Sequence, residues 1–406
     1  MRANTRLFLR AVACGLPALA GFGVTSTWAA NVSYAPIAAG TTVNWQGVNW
    51  ASGTRVAPSI YSQPQSLDVA TIGGAGTGVM YLNGTTTVAS LYVSGYSEDT
   101  GVALELRSSA RLTTGDSSIG HVPGGWGVVN MNGGTWTVTA GKRLDVGQAT
   151  ASKGTSMLNM HGGTLTIPTL NVAYLGSGTL NQDGGLISAT TTVVLGGANS
   201  TGYVSRYNLS GTGTLQAKQL EFKYQNVDLS QAFSMTGGTL QTSKIQYGQW
   251  YGEPYAVFTQ DDGTLAPVSI TGTTFSDIGT LSFAHGRLGW TAGYAMGPNA
   301  HLALQLASAT SYDKLVMSGD FTAGGTLDVT LAGYTPSVGD TFTLFSADAG
   351  YHSSFSQINL PAGAVWDTSS LLTNGTIRVS AIPEPISAAL LGLGSLAVLR
   401  RPRRSR

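Results

Sequence analysis

The chain contains 406 residues, of which 42% are hydrophobic, 10% are charged and 55 are glycine. This apolar content is sufficient for a packed core and excludes wholesale disorder, and the abundance of glycine and threonine favours β structure with many turns. Once the eight arginines of the two termini and Glu384 are set aside, 13 basic and 19 acidic residues remain, which excludes the basic surface that nucleic-acid binding requires.

The N-terminal segment has the three parts of a secretory signal peptide. Three arginines within the first ten residues precede the apolar run "AVACGLPALAGFGV", and Thr27 and Ala29 occupy the −3 and −1 positions of a cleavage site. We therefore predict export with removal of residues 1–29, and a first transmembrane helix is the alternative interpretation. Cys14 is the only cysteine, so the exported chain is expected to have neither disulfide bonds nor thiolate metal sites.

The body of the chain repeats a ten-residue pattern that is centred on a glycine turn. The copies are "VNMNGGTWTV" (129–138), "LNMHGGTLTI" (158–167), "LNQDGGLISA" (180–189), "YNLSGTGTLQ" (207–216), "FSMTGGTLQT" (233–242) and "FTQDDGTLAP" (258–267). Their turn residues are 22 to 29 positions apart, which is typical of one solenoid coil per repeat. Because a single coil cannot bury its own apolar face, coils must stack. The pattern predicts a right-handed parallel β-helix over residues 30–300, with an N-terminal cap.

Each copy alternates in polarity before its turn. The positions four and two places before the first turn residue are mostly apolar, and this period of two predicts that both columns face the core. The position between them is asparagine in the first four copies, at Asn130, Asn159, Asn181 and Asn208. In-register stacking would turn this column into an amide ladder, and independent turn-favouring asparagines are the alternative. A second series of glycines, which predicts another corner, consists of Gly95, Gly120, Gly147, Gly176 and Gly196.

The "NGGTLT"-like turn resembles the autotransporter-associated β-strand repeat of bacterial surface proteins, over roughly residues 70–270. The segment "VNWQGVNW" near the start is similar to such proteins as well. Two copies depart from the pattern, because Asp262 replaces the first glycine and Gly211-Thr212-Gly213 carries an inserted residue. The resemblance implies a β-solenoid that is displayed at the cell surface.

The sequence changes character at about His301, where short runs of alternating polarity follow. The run "GGTLDVTLAGYTPSVGDTFTLFSA" places Leu327, Val329 and Leu331 on one face of a predicted strand. This part is similar to the β segment that ends many repeat-bearing secreted proteins. We predict that residues 301–381 form a C-terminal β cap, because an uncovered edge strand would invite pairing with another chain.

The last segment, residues 382–406, combines a rigid motif, an apolar run and a basic end. Pro383 and Pro385 exclude helix upstream, and the 14 residues that follow, up to Leu399, are apolar or small. As a helix they would span roughly 21 Å, which is short of the roughly 30 Å hydrocarbon core. The arginines predicted to hold this segment at the cytoplasmic side are Arg400, Arg401, Arg403 and Arg404. This favours transient membrane insertion, with a permanent tail anchor as the alternative.

The order of Pro383-Glu384-Pro385, apolar helix and arginine cluster resembles the PEP-CTERM sorting signal. Such signals belong to exported proteins of Gram-negative bacteria that make extracellular polysaccharide. The resemblance, which covers only residues 382–406, implies recognition by an exosortase, a membrane transpeptidase, and loss of the tail after transient anchoring in the inner membrane. It therefore implies delivery to the cell envelope, the outer surface or the medium, and it leaves the activity of the body open.

The sequence contains no motif that predicts a catalytic residue, a metal site or a cofactor. Pectate lyases and polygalacturonases share the parallel β-helix, but their sites need clustered carboxylates. The pair Asp261-Asp262 occupies a turn of the repeat, and Glu98 lies in the polar stretch "GYSEDTG". The five histidines show no metal-ligand spacing.

Aromatic residues near position 250 are the candidate ligand contact. The segment "YGQWYGEPYAVF" groups Trp250, Tyr251 and Tyr255, whose rings on a rigid β platform can stack on sugars. The alternative is that they close a loop over the core. The sequence thus predicts an exported structural or adhesive β-solenoid that is associated with extracellular polysaccharide in a matrix or biofilm. The alternatives are a polysaccharide-processing enzyme, which needs carboxylates converging on one face, and a carbohydrate-binding module, which needs a row of outward aromatics.

Overall fold

In its described residues the computed structural model is almost entirely β, with 62% strand and 2% helix. The described residues are 31–34, 42–44, 51–52, 69–73, 79–95, 101–121, 125–148, 155–197, 204–224, 232–250, 255–271, 273–285 and 287–383. Most of the paired strands are parallel, and the partners in these parallel pairs are one to five elements apart in the chain. The predicted parallel β-solenoid is confirmed.

The strands are named in chain order. The N-terminal part contains β1 (Asn31–Tyr34), β2 (Thr42–Asn44), β3 (Ala51–Ser52), β4 (Val69–Ile72), β5 (Val79–Leu82), β6 (Thr85–Val88), β7 (Ser90–Val93), β8 (Gly101–Leu106), β9 (Arg111–Thr114), β10 (Ser117–Ile119), β11 (Trp126–Val138) and β12 (Arg143–Val146). The middle contains β13 (Ser156–Val172), β14 (Gly178–Gln182), β15 (Leu186–Leu195), β16 (Ser205–Leu209), β17 (Thr214–Ala217), β18 (Leu220–Tyr224), β19 (Phe233–Met235), β20 (Thr239–Thr242), β21 (Lys244–Trp250), β22 (Tyr255–Gln260), β23 (Thr264–Pro267), β24 (Ser269–Thr271), β25 (Thr274–Ser276) and β26 (Thr280–His285). The C-terminal part contains β27 (Thr291–Met296), β28 (His301–Leu306), β29 (Lys314–Met317), β30 (Asp320–Thr322), β31 (Thr326–Leu331), β32 (Thr341–Thr343), β33 (Phe345–Ala347), β34 (Gly350–His352), β35 (Gln357–Asn359), β36 (Val365–Asp367), α1 (Leu371–Asn374) and β37 (Thr376–Ala381).

Each coil contributes a strand to each of three faces, and consecutive strands on a face lie roughly 4.8 Å apart. The first face consists of β2, β5, β8, the start of β11, the start of β13, β14, β16 and β19, followed by β22, β27, β30 and β34. The second consists of β6, β9, the end of β11, the middle of β13, the start of β15, β17, β20, β23, β28, β31 and β35. The third consists of β1, β4, β7, β10, β12, the end of β13, the end of β15, β18, β21, β26, β29 and β33.

The predicted apolar column is in register from coil to coil. On the first face Val129 pairs with Leu158, and Leu158 pairs with Leu180. Leu180 in turn pairs with Tyr207, and Tyr207 pairs with Phe233. All five side chains are buried, so the interior of the solenoid is a continuous apolar core to which every coil contributes.

Two glutamines interrupt the inward column, and each is satisfied inside the core. The Gln182 amide donates from Nε2 to the carbonyl oxygen of Thr214 at 2.8 Å, and the Tyr207 hydroxyl donates to Gln182 Oε1. The same arrangement recurs at Gln260, whose Oε1 accepts from the Tyr294 hydroxyl. Burial raises the pKa of both tyrosines, so both hydroxyls stay protonated and remain donors.

The corner between the first and second faces requires glycine at its second turn residue. These glycines have φ angles between 68° and 82° and are Gly134, Gly163, Gly185, Gly238 and Gly263. A Cβ at Gly163 would lie 2.4 Å from the carbonyl oxygen of Gly134 in the preceding coil, so both the left-handed backbone and the close stacking exclude a side chain. The turn tolerates Asp262 because the left-handed residue there is the following one, Gly263.

The predicted asparagine ladder is confirmed on the outward side of the first face. Asn159 Nδ2 donates to Asn130 Oδ1, and Asn181 Nδ2 donates to Asn159 Oδ1, both at 2.8 Å. Asn208 continues the series onto Asn181 at 2.8 Å. Each amide therefore bridges to the coil before it, which in-register stacking makes possible.

The second glycine series marks the corner that follows the third face, with two corrections. Val93 pairs with Ile119, so Ser94, and not the predicted Gly95, aligns with Gly120. Gly120, Gly147 and Gly196 directly follow their strands and have φ angles of 76°, 76° and 84°. In the intervening coil the corresponding residue is Ala173, with a φ of 62°, rather than the predicted Gly176. Alanine in this conformation costs roughly 1–2 kcal/mol, so residue type alone could not identify the corner.

Parallel stacking continues past residue 300, the predicted end of the solenoid. Strand β28 pairs with β31, and β31 pairs with β35, so the rungs extend to Asn359. The cap is therefore shorter than the predicted residues 301–381. It consists of the antiparallel sheet of β32, β37 and β36 together with α1. The change in sequence at His301 reflects longer connections between rungs, such as the one from β31 to β33, and not the end of stacking.

Candidate functional site: a polar groove on the third face

The outward side of the third face carries a groove with a volume of 820 Å³. Strands β7, β10, β12, β13, β15 and β18 contribute to it, so it crosses several consecutive coils. We call it the third-face groove. Its lining is polar, and it contains aromatic and charged side chains at positions that alternate with the apolar residues of the core.

The floor of the groove is a column of outward residues, each two places before the corner. Ser118 pairs with Asp145, and Asp145 pairs with Asn171. Val194 continues the column after Asn171. Outward residues of a strand usually face solvent, but these four are almost fully buried. Ser118 and Asp145 are each 1% exposed, Asn171 is 6% exposed and Val194 is 7% exposed. The groove therefore places polar groups in a shielded environment.

Asp145 is the buried charge at the centre of this floor. Its Oδ1 accepts a hydrogen bond from Asn171 Nδ2 at 2.6 Å, and its Oδ2 lies 3.1 Å from Arg143 Nε. Burial raises the pKa of Asp145, while the Asn171 amide and the Arg143 guanidinium oppose the rise. A buried carboxylate with these two partners is fixed in position, as a ligand-orienting group needs to be.

The walls of the groove carry charges of both signs. Lys142 Nζ lies 3.1 Å from Asp116 Oδ2, and Asp116 Oδ1 accepts from the backbone nitrogen of Arg143 at 3.0 Å. Glu221 and Lys223 line the same groove from β18. Among the described residues that line the groove, three acidic side chains face three basic ones. The groove is thus polar without a strong net charge.

Two tyrosines supply flat surfaces. The Tyr92 ring stacks on His121 with a centroid distance of 4.1 Å and an interplanar angle of 11°. The Arg143 guanidinium lies over the Tyr174 ring at 4.8 Å, a favourable cation–π arrangement. Both tyrosines are half-buried and line the groove, so their orientations are restrained by their neighbours.

Two hydroxyl groups in the groove have no hydrogen-bond partner among the described residues. Ser118 Oγ and Thr192 Oγ1 are both buried and unsatisfied, and both residues line the groove. A buried polar group without a partner costs roughly 1–3 kcal/mol, and most such groups in native proteins have one. Both oxygen atoms are sealed from solvent, so a ligand in the groove cannot reach them without a rearrangement of the groove floor.

The predicted sugar contacts lie elsewhere on the chain. Trp250 ends β21 and Tyr255 begins β22, but their side chains, and Tyr251 as a whole, fall outside the described residues. Two neighbours in the same aromatic segment, Tyr247 and Phe258, are only 1% and 3% exposed and belong to the core. Contact between sugar and the aromatic segment stays a prediction.

Most of the predicted sorting signals also fall outside the described residues. This applies to the signal peptide of residues 1–29, to Glu384 and Pro385, and to the arginines of residues 400–404. Pro383, the last described residue, is exposed. Across the described ranges, no helix combines the length and apolar character that a membrane crossing requires.

The acidic pair singled out in the sequence lies in a corner. Asp261 and Asp262 connect β22 to β23, and Asp262 Oδ1 accepts a hydrogen bond from the backbone nitrogen of Gly263 at 2.5 Å. Among the side chains that the structure describes, no three histidine, cysteine or acidic groups are close enough together to hold a metal ion.

The sequence motifs did not identify the third-face groove. The sequence gives little indication of the groove, because the floor residues differ in chemical type and share only one property. Each lies two places before the corner that follows the third face. Comparison with known proteins adds no assignment: no protein-family model matches the chain, and no curated protein is detectably similar to it.

Proposed function

We propose that this protein is an exported structural β-solenoid of the cell surface or extracellular matrix, with an adhesive role toward extracellular polysaccharide. The observation that carries the proposal is the continuous stacking of parallel strands on the second face, from β6 to β35, and on the third face, from β1 to β33. A single apolar interior and an external amide ladder join the coils. Such an array is quasi-one-dimensional and presents long, regular faces to its surroundings, which suits extended display in a matrix.

The C-terminal closure supports the same role. The sheet of β32, β36 and β37 lies at the end where β33, β34 and β35 would otherwise expose edges. An uncovered edge of a parallel stack would recruit further strands. A closed end keeps a surface rod from growing by uncontrolled strand addition.

Delivery is proposed to depend on the two termini. An exosortase-type membrane transpeptidase would recognise Pro383-Glu384-Pro385, and the apolar segment would hold the chain transiently in the inner membrane. The test is a tagged chain in the native bacterium, compared with Pro383→Ala/Pro385→Ala. We expect the wild type in the surface or culture fraction with the mass of a chain lacking both end segments, and the variant in the membrane fraction at higher mass. Equal mass and location of the two would refute the sorting step.

A second candidate, a polysaccharide-processing enzyme, is favoured by Asp116 and Asp145, two carboxyl groups that line one groove. Both already engage cations, Lys142 and Arg143, and we propose that they orient a ligand and do not cleave it. Incubation of the purified chain with matrix polysaccharide separates the two. New reducing ends that appear with wild type and vanish with Asp145→Asn would establish the enzyme and overturn the structural proposal.

A further inference from the structure

We propose that the second face of the solenoid binds ice through a flat array of threonine side chains. The array consists of the outward residues on six consecutive strands of this face, from Thr135 on β11 to Ala266 on β23. We call it the threonine array. Ice binding is a property of the purified chain, so the inference is independent of the delivery and the adhesive role proposed above.

The threonine array is uncharged and rich in hydroxyl groups. Each of its six strands contributes two outward residues, and eight of these twelve are threonine or serine. The other four are Leu186, Gln216, Gln241 and Ala266. Ionisable outward residues return only beyond its two ends, at Arg111 on β9 and His301 on β28. An uninterrupted neutral surface of this kind suits a ligand that is itself uncharged.

The side chains of the threonine array are held at regular positions. Thr135 pairs with Thr164 in the next coil, and Thr214 pairs with Thr239, which pairs with Thr264. The register shifts of β11 and β13 fall outside the array. Because threonine is branched at Cβ, its χ1 rotamers are restricted. The methyl and hydroxyl groups therefore recur at nearly constant intervals and in few orientations.

The threonine hydroxyls of the array are accessible to an external ligand. The residues between them, such as Trp136 and Leu165, are buried in the core, so the threonines of the same strands point outward. These threonines are half-buried or exposed, and their hydroxyls have no hydrogen-bond partner in the part of the chain that the structure describes. A ligand that lies on this face can contact them without any rearrangement of the protein.

The two spacings of the array match a lattice of water molecules. Neighbouring strands lie roughly 4.8 Å apart, and the two outward residues of one strand lie roughly 6.7 Å apart. These distances are close to the two repeats of the oxygen atoms on a prism plane of ice. Hydroxyl groups at these positions can bond to successive water molecules of the lattice, while the methyl groups pack into the gaps between them.

Other occupants fit the threonine array less well. Nucleic acid and acidic polysaccharides need an excess of positive charge, which the array lacks. A crystalline neutral polysaccharide would pack on exposed aromatic rings, and none of the twelve outward residues is aromatic. A second copy of the chain would cover an area of roughly 29 Å by 13 Å, well below the roughly 800 Å² that each partner contributes to a stable interface.

The test measures the uptake of the purified full-length chain into slowly growing ice, together with thermal hysteresis and the shape of single ice crystals. The test variant, Thr164→Lys/Thr239→Lys, places long charged side chains on the second and fifth strands of the array. Arg111 occupies the same column on β9, so a long cationic side chain is compatible with the fold there. The matched control, Thr179→Lys/Thr259→Lys, makes the same change at outward threonines of the first face.

We expect the wild type and the first-face control to enter ice equally and to shape its crystals. The array variant should be taken up roughly tenfold less, because a hydrogen bond is lost at each of two sites, while its unfolding midpoint stays near that of the wild type. If the double variant does not fold, the single variants Thr164→Lys and Thr239→Lys replace it in the same comparison.

Exclusion of the wild type from ice, uptake of the array variant at the wild-type level, or an equal loss in the first-face control would each overturn the inference. Sedimentation and binding to crystalline cellulose test the other occupants of this face. Self-association or cellulose binding that disappears in the array variant, in a chain that ice excludes, would overturn the inference in favour of that occupant.

Discussion

Replacement of Gly163 by alanine tests whether the close stacking of corners sets the spacing of the solenoid. Gly163 and Gly141 have similar left-handed φ angles of 82° and 75°. A Cβ at Gly163 would meet the Gly134 oxygen at 2.4 Å, whereas a Cβ at Gly141 would meet nothing within 4 Å. Gly141→Ala is therefore a matched control that carries the backbone strain without the collision.

The two substitutions should differ by an amount that follows from these contacts. The left-handed conformation costs alanine roughly 1–2 kcal/mol at either site, and the loss of glycine entropy in the unfolded chain offsets part of it equally. At Gly163 the blocking atoms are backbone atoms of the preceding coil, so the coils must separate, and overpacking of this kind costs roughly 1–3 kcal/mol. We expect Gly163→Ala to be about 2–4 kcal/mol less stable than the wild type and Gly141→Ala about 1 kcal/mol less stable.

The measurement is denaturant unfolding followed by far-ultraviolet circular dichroism, with the slope of the transition compared among the three proteins. A stacked array can unfold in stages, so a change in slope would itself indicate that coils on the two sides of Gly163 have become uncoupled. Equal destabilisation by Gly163→Ala and Gly141→Ala would refute the reasoning, because it would leave backbone strain as the whole effect.

Three further predictions follow from buried polar groups. Asn181→Ala interrupts the amide ladder and leaves Asn159 and Asn208 each without one partner, so it should lower the free energy of unfolding by about 1 kcal/mol, as measured by denaturant titration. Tyr207→Phe leaves Gln182 Oε1 inside the core without a donor and should cost about 1–3 kcal/mol, and a loss below 0.5 kcal/mol would contradict the role assigned to this pair. Burial raises the pKa of Asp313 from its ordinary value of 3.8 to about 7, so the fold favours the protonated form, and this contribution to stability is lost as pH rises from about 4 to about 7. Relative to Asp313→Asn, the wild type should lose about 2 kcal/mol between pH 5 and pH 7, and parallel pH profiles would contradict the assignment.

The repeat architecture could be predicted from the sequence because two patterns recur in it: the alternation of polarity along each strand and the spacing of the glycine turns. The period of two in "VNMNGG" gave the inward and outward columns, and the 22- to 29-residue spacing gave the coils. The Asn130 ladder followed from in-register stacking alone. These features depend on residue type at fixed offsets, which a single sequence displays.

The groove and the end of the solenoid could not be predicted in the same way. The floor residues Ser118, Asp145, Asn171 and Val194 have different chemical types, so no column stands out until the register is known. Ala173 took a corner position that glycine usually fills. After residue 300 the glycine turn recurs as Gly324-Gly325 before β31, but it is absent before β35, although that strand pairs with β31 as the earlier rungs pair with each other.

The asparagine ladder also gives the rod a direction. Every amide hydrogen in it points from a later coil to the oxygen of an earlier one, from Asn208 down to Asn130, so the small dipoles add along the axis and strengthen one another. A chain that emerges with its amino end first would find, at each stage, a finished coil offering an acceptor to the next. Growth by templating in one direction needs no long-range search, so the rungs can form in the order in which the chain is synthesised.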